Sequence, residues 1–145
     1  MNLLSNRNAV AWVLLASAVA LHVWDEALTH FLPFYNGLVE SLRERLGFFP
    51  LPTFSFKLWL GGLIVGVGAG YALTPIVARG GRIIRIVTIV LGILMVSNAL
   101  GHLLGSVYFG RLLPGVWSSP VLLTAAIYVL VRGIRGDWQS SSPRS

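Results

Sequence analysis

The sequence contains no cysteine. That absence excludes disulfides, thiolate nucleophiles, Cys-ligated zinc and Cys-ligated iron–sulfur clusters. Acidic residues are scarce as well: five Asp and Glu stand against eleven Lys and Arg, a formal net charge of +6. The basic residues fall between apolar runs and in the tail, with no basic stripe carrying interleaved aromatics, so nucleic-acid binding is not expected. Charged residues make up 11% of a chain that is 55% hydrophobic, with mean hydropathy +0.76. For 145 residues this is too apolar for a soluble domain, and it points to a single integral membrane domain.

What is present in place of charge is long apolar runs. Four of them, at about 8–31, 55–78, 83–108 and 116–131, predict an all-α fold: a four-helix transmembrane bundle. The first begins like a signal peptide, with Arg7 and the small residues Ala16-Ser17-Ala18, but the apolar run continues past them, so an uncleaved first span is expected. Pro33 is expected to end it. Between the first two spans, residues 34–48 place Leu38, Leu42 and Leu46 on one face and Glu40, Arg43, Glu44 and Arg45 on the other, the pattern of a short amphipathic helix lying in the interface. Gly62, Gly66 and Gly70 repeat every four residues in the second span, a small-residue ridge suited to close helix packing, within the bundle or in a homo-oligomer. No strand precedes these glycines and no Gly-Lys-Ser/Thr follows, so a phosphate loop is disfavoured. The tail from 132 to 145 reads as polar and frayed.

The end of the first run holds a polar cluster: His22, Asp25, Glu26, Thr29 and His30. At 100° per residue they fall within an arc of about 140° on one helix face. Val23, Trp24, Ala27 and Phe31 occupy the other face. Ionisable groups at bilayer depth cost several kcal/mol unless paired, hydrated or liganded, which marks them as functional candidates. A second polar pair, Asn98 and His102, lies four residues apart in the third run. Seven of the eleven basic residues, Arg7, Arg79, Arg82, Arg85, Arg132, Arg135 and Arg144, fall on one side of a four-span topology, so both termini are expected in the cytoplasm. The first and third spans then run the same way and bring His22 and His102 to roughly 21 and 29 Å from their inner ends. One shared site in the outer half of the membrane is the simplest reading, with Trp24, Trp59 and Trp117 marking the outer interface.

Histidines and carboxylates four residues apart on one helix, joined by a histidine from a second, can surround one divalent ion. The expected ligands are His22, Glu26, His30 and His102. Mixed His and carboxylate ligation suits Zn²⁺, Fe²⁺ or Mn²⁺, and two methionines without thiols argue against Cu⁺. Asp25 would orient a ligand or act as base, Glu26 is both ligand and catalytic candidate, and Asn98 would fix the tautomer of His102 or bind substrate. The expected activity is metal-dependent hydrolysis of a lipid-like substrate entering from the membrane lipids. Metal-free acid/base isomerisation, metal or proton transport, and a polar network that only sets helix register stay open beside it.

His22-Val-Trp-Asp25-Glu26 resembles the His-x-x-Glu-Glu signature of the HXXEE-domain membrane proteins, and Asn98-x-x-x-His102 and Tyr108 with Pro114-Gly115 look like that family's later motifs. Asp25 stands where the family has Glu, and Tyr108 lies farther from Pro114-Gly115 than the family pattern implies. That family's function is uncharacterised, so the resemblance implies a common site through His22, Glu26 and His102 and names no reaction.

Overall fold

A computed structural model describes residues 6–138, and every regular element among them is a helix. Helix α1 spans Arg7–Leu28, α2 Phe31–Leu46, α3 Phe56–Ala72, α4 Thr74–Arg79, α5 Arg82–Phe109 and α6 Ser119–Arg135. Among the described residues three stretches are long and apolar enough to cross a membrane: α1, the combined rod Phe56–Arg79, and α5. The 17 residues of α6 make a shorter rod of about 26 Å.

Local chemistry moves several boundaries from their expected places. Asn6 starts α1, its side-chain oxygen accepting from the backbone N–H groups of Asn8 and Ala9 at 2.9 and 3.1 Å. The helix stops at Leu28, before Pro33, because the Thr29 hydroxyl donates to the Asp25 carbonyl at 2.6 Å and His30 takes a left-handed conformation with φ 60°. Pro33 then sits in the first turn of α2, where its missing N–H has no intrahelical partner to lose. Pro75 likewise opens α4 and breaks the second apolar run at Leu73. The helix of the fourth apolar run, α6, begins at Ser119, three residues later than its apolar pattern indicates, because residues 114–118 form a turn.

The tail also departs from expectation. Helix α6 continues through Arg132 to Arg135 and closes on Gly136 in the left-handed region. The chain then folds back, burying Trp138 completely, while the Gly81 N–H donates to the Trp138 carbonyl at 2.7 Å. The polar composition around it hides an apolar anchor; residues 139–145 lie outside the described residues.

The core gathers Trp12, Leu15 and Ala18 of α1, Ala99 of α5, Leu122 and Val129 of α6, and Trp138. Helices α5 and α6 touch backbone to backbone at Gly92, where a Cβ would meet the Leu130 Cβ at 2.8 Å and its Cα at 3.1 Å. In the Gly62/Gly66/Gly70 ridge only Gly70 has a neighbour among the described residues, and at ordinary contact distance: a Cβ there would lie 3.7 Å from that of Ala16, and the Trp12 indole donates to the Gly70 carbonyl at 2.6 Å. Gly62 and Gly66 instead line an apolar crevice of about 200 Å³ between α1, α3 and α5. No residue of α3 is buried.

Candidate metal centre

Helix α1 sets His22 and Glu26 one turn apart, and the short α5–α6 connection folds over them to bring in the face of α5 that bears His102. All three side chains are buried, at 3%, 5% and 6% relative exposure. Glu26 Oε1 lies 3.5 Å from His22 Nε2 and 3.1 Å from His102 Nε2, and the candidate ligand atoms of the three residues all fall within 4.8 Å of one another. Ligands at about 2.0–2.1 Å from a tetrahedral Zn²⁺ stand about 3.3–3.4 Å apart. Two edges of the cluster therefore already have the spacing that a shared ion requires, and the donor set, two imidazoles and one carboxylate, is the kind that leaves a fourth position for water or substrate.

A second set of contacts fixes His22. The Ser118 side chain and backbone N–H both donate to Asp25 Oδ2 at 2.8 Å. With its proton directed to Asp25, the Ser118 hydroxyl accepts from His22 Nδ1 at 2.8 Å. His22 therefore carries its proton on Nδ1 and turns the Nε2 lone pair toward Glu26 and Asn98, whose amide nitrogen donates to it at 3.1 Å. This is the outer-shell arrangement by which metal-binding histidines are oriented. Asp25 acts through Ser118 and is a positioning residue. Asn98 contacts His22, where the sequence reading had paired it with His102.

His30 does not join the cluster. As the left-handed residue between α1 and α2 it is exposed, and its extrapolated position on the α1 face fails because the helix has already ended. His22, Glu26 and His102 do meet. Three other residues contribute to the cluster. In the sequence Ser118 lies inside the fourth apolar run, two residues after its expected start at 116. Phe31 packs its ring 5.3 Å from that of His102. Gly115, with φ +82°, lies so close that a Cβ would stand 2.9 Å from His102 Cε1 and 3.1 Å from Glu26 Cγ. Thr29 holds that loop, accepting from the Gly115 N–H at 3.1 Å. Pro114-Gly115 was visible as a motif; its place as the roof of the cluster was not.

Ser118→Ala is expected to weaken metal binding about 10- to 100-fold, the usual effect of losing an outer-shell partner, while full occupancy is still reached at saturating metal. A metal titration in detergent reads both quantities; loss of stoichiometry would instead make Ser118 a ligand. Asp25→Ala should match it, because the two residues act in one chain of hydrogen bonds.

Comparison with protein-family models, with curated proteins and with solved structures finds no match to this chain.

Proposed function

We infer that the chain is a small integral membrane protein with a divalent-metal site formed by His22, Glu26 and His102, and that it acts as a metal-dependent hydrolase on a lipid-like substrate. The observation that carries this reading is the convergence of three buried ligand-bearing side chains, within 4.8 Å of one another, inside helices apolar enough to cross a membrane. In this reading α6 is the fourth span, thinned at its outer end by the 114–118 turn, and both termini are cytoplasmic, as the arginine distribution favours. Membership of the HXXEE-domain proteins belongs to the same proposal, since the residues carrying that resemblance are the ones that meet.

Zn²⁺, Fe²⁺ or Mn²⁺ suits the donor set, and an ion held there would polarise a substrate carbonyl and activate water. The protein's own groups supply the rest. Ser118 and Asp25 hold His22 in one tautomer, Gly115 and Phe31 close the cluster against bulk water, and Asn98, whose amide gives up the His22 Nε2 lone pair when an ion takes it, is then free to bind substrate. The crevice lined by Trp12, Leu15, Val19, Gly62, Gly66 and Met95 ends at Val19 and Met95, one turn from His22 and Asn98. A hydrocarbon chain lying there would set its polar head at the cluster.

A second reading, acid/base catalysis without metal, is favoured by the direct 3.1 Å contact of Glu26 with His102, across which a proton can pass. Elemental analysis of protein purified without an affinity-metal step separates the two. About one equivalent of zinc, iron or manganese, absent from a His22→Ala/His102→Ala variant, is the expected result. No metal in the wild type after reconstitution with each ion would overturn the metal reading and leave the acid/base one.

A further inference from the structure

Far from the His22–Glu26–His102 cluster, at the opposite end of α1, three arginines from three separate helices surround a polar cavity of about 350 Å³. Arg7 comes from the first turn of α1, Arg79 from the end of α4 and Arg132 from the last turn of α6; Asn6, Asn8 and Asp137 complete the polar wall. The segments are tied together: the Asn6 side chain donates to the Ala78 carbonyl at 2.9 Å, and Arg132 Nη2 donates to Asn8 Oδ1 at 2.9 Å. The volume has room for roughly a dozen waters at about 30 Å³ each, enough for a phosphate and part of its ester.

Arg132 is held in place. Its guanidinium carbon lies 5.8 Å from the Tyr128 ring centroid and 5.7 Å from that of Trp138, and its Nε is shielded from solvent with no partner among the described residues. A fixed guanidinium offers a planar fork suited to phosphate oxygens. Arginines near helix C-termini also offset the dipole there, worth about half a negative charge for each of α4 and α6, while the α1 N-terminus adds about half a positive one. Three guanidinium groups against those ends and the single carboxylate of Asp137 still leave an excess of more than one positive charge. The arginines therefore exceed what the helix ends need.

We propose that this cavity binds the phosphate of an anionic phospholipid headgroup. The cavity sits where α1, α4 and α6 leave the apolar layer, the level at which a bilayer presents its phosphates, and basic pockets between spans on the cytoplasmic side are suited to anionic headgroups. The site is independent of the metal centre and stands whether or not that centre binds an ion. Arg7 and Arg79 are the residues to change, because both are exposed and neither side chain makes a hydrogen bond among the described residues.

The test is lipid binding to the detergent-purified full chain, read by native mass spectrometry and by thermal unfolding. The probes are phosphatidylglycerol, phosphatidylcholine and inorganic phosphate. Phosphatidylglycerol is expected to bind as one saturable adduct, at least tenfold tighter than phosphatidylcholine. Arg7→Gln/Arg79→Gln should lose that preference. Arg45→Gln/Lys57→Gln, which removes the same charge at the other end of the molecule, should keep it. Equal binding of the two lipids, or an unchanged preference in Arg7→Gln/Arg79→Gln, would overturn the site. Protection by inorganic phosphate with none by phosphatidylglycerol would overturn the lipid assignment in favour of a soluble phosphate ligand.

Discussion

Glu26→Gln protein is expected to bind zinc about 100-fold or more weakly than the wild type, a loss of about 2.7 kcal/mol, yet to unfold at the same temperature or higher when metal is absent. The carboxylate is the hub of the cluster, 3.5 Å from one imidazole and 3.1 Å from the other. It is also the group within that trio whose negative charge offsets that of a divalent ion, and an amide oxygen of the same shape supplies none. Without metal the balance reverses. A carboxylate at 5% exposure has lost most of its hydration, so replacing it with a neutral isostere removes a desolvation penalty at little steric cost. A side chain kept for packing would behave in the opposite way. Metal titration and thermal unfolding of metal-stripped protein, run side by side, test both halves. A variant that binds zinc normally but unfolds many degrees lower would make the cluster a structural network.

This opposed pair of effects explains why the site was legible in the sequence at all. His22, Glu26 and His102 stand out because apolar helices have no inexpensive use for buried ionisable groups, and the four-residue spacing of His22 and Glu26 needs only helical geometry to put both on one face. The partnership between α1 and α5 followed from topology and depth. What the sequence could not reveal depends on where a helix ends and on how loops fold back. His30 was counted on the cluster face because the 3.6-residue period was extended through Thr29, whose hydroxyl in fact helps stop the helix. Ser118 lay inside the fourth apolar run as an ordinary small polar residue; its bonds to Asp25 and His22 span 93 and 96 residues, and no local pattern encodes them. Trp138 was read as part of a polar tail because Asp137 and the serines after it dominate the composition, although one buried indole is enough to anchor such a segment. The glycine ridge on α3 was legible as a pattern but ambiguous in use. A row of missing side chains can admit a neighbouring helix or leave a crevice, and here only Gly70 meets a helix of the same chain.

Gly115→Ala should cost the metal site more than any other single methyl group added to the loop over it. Two penalties coincide there. At φ +82° a side chain is strained wherever the space lies, by about 1–3 kcal/mol. The new Cβ would also stand 2.9 Å from His102 Cε1, 3.0 Å from its Nδ1 and 3.1 Å from Glu26 Cγ. Those neighbours are the ligand-bearing groups themselves. Relief requires the imidazole to swing or the loop to lift, and lifting the loop strains the bonds from Gly115 N–H to Thr29 and from Ser119 Oγ to the Gly115 carbonyl, 3.1 and 2.7 Å long. Gly110 provides the control. It has φ +63° with nothing within 4 Å of an added Cβ, so Gly110→Ala carries the backbone strain alone. Both variants are expected to unfold at lower temperature than the wild type, but only Gly115→Ala should also lose metal affinity, by tenfold or more. If the two variants bind metal alike, the roof over the cluster has no bearing on its geometry, and Pro114-Gly115 serves only to turn the chain into α6.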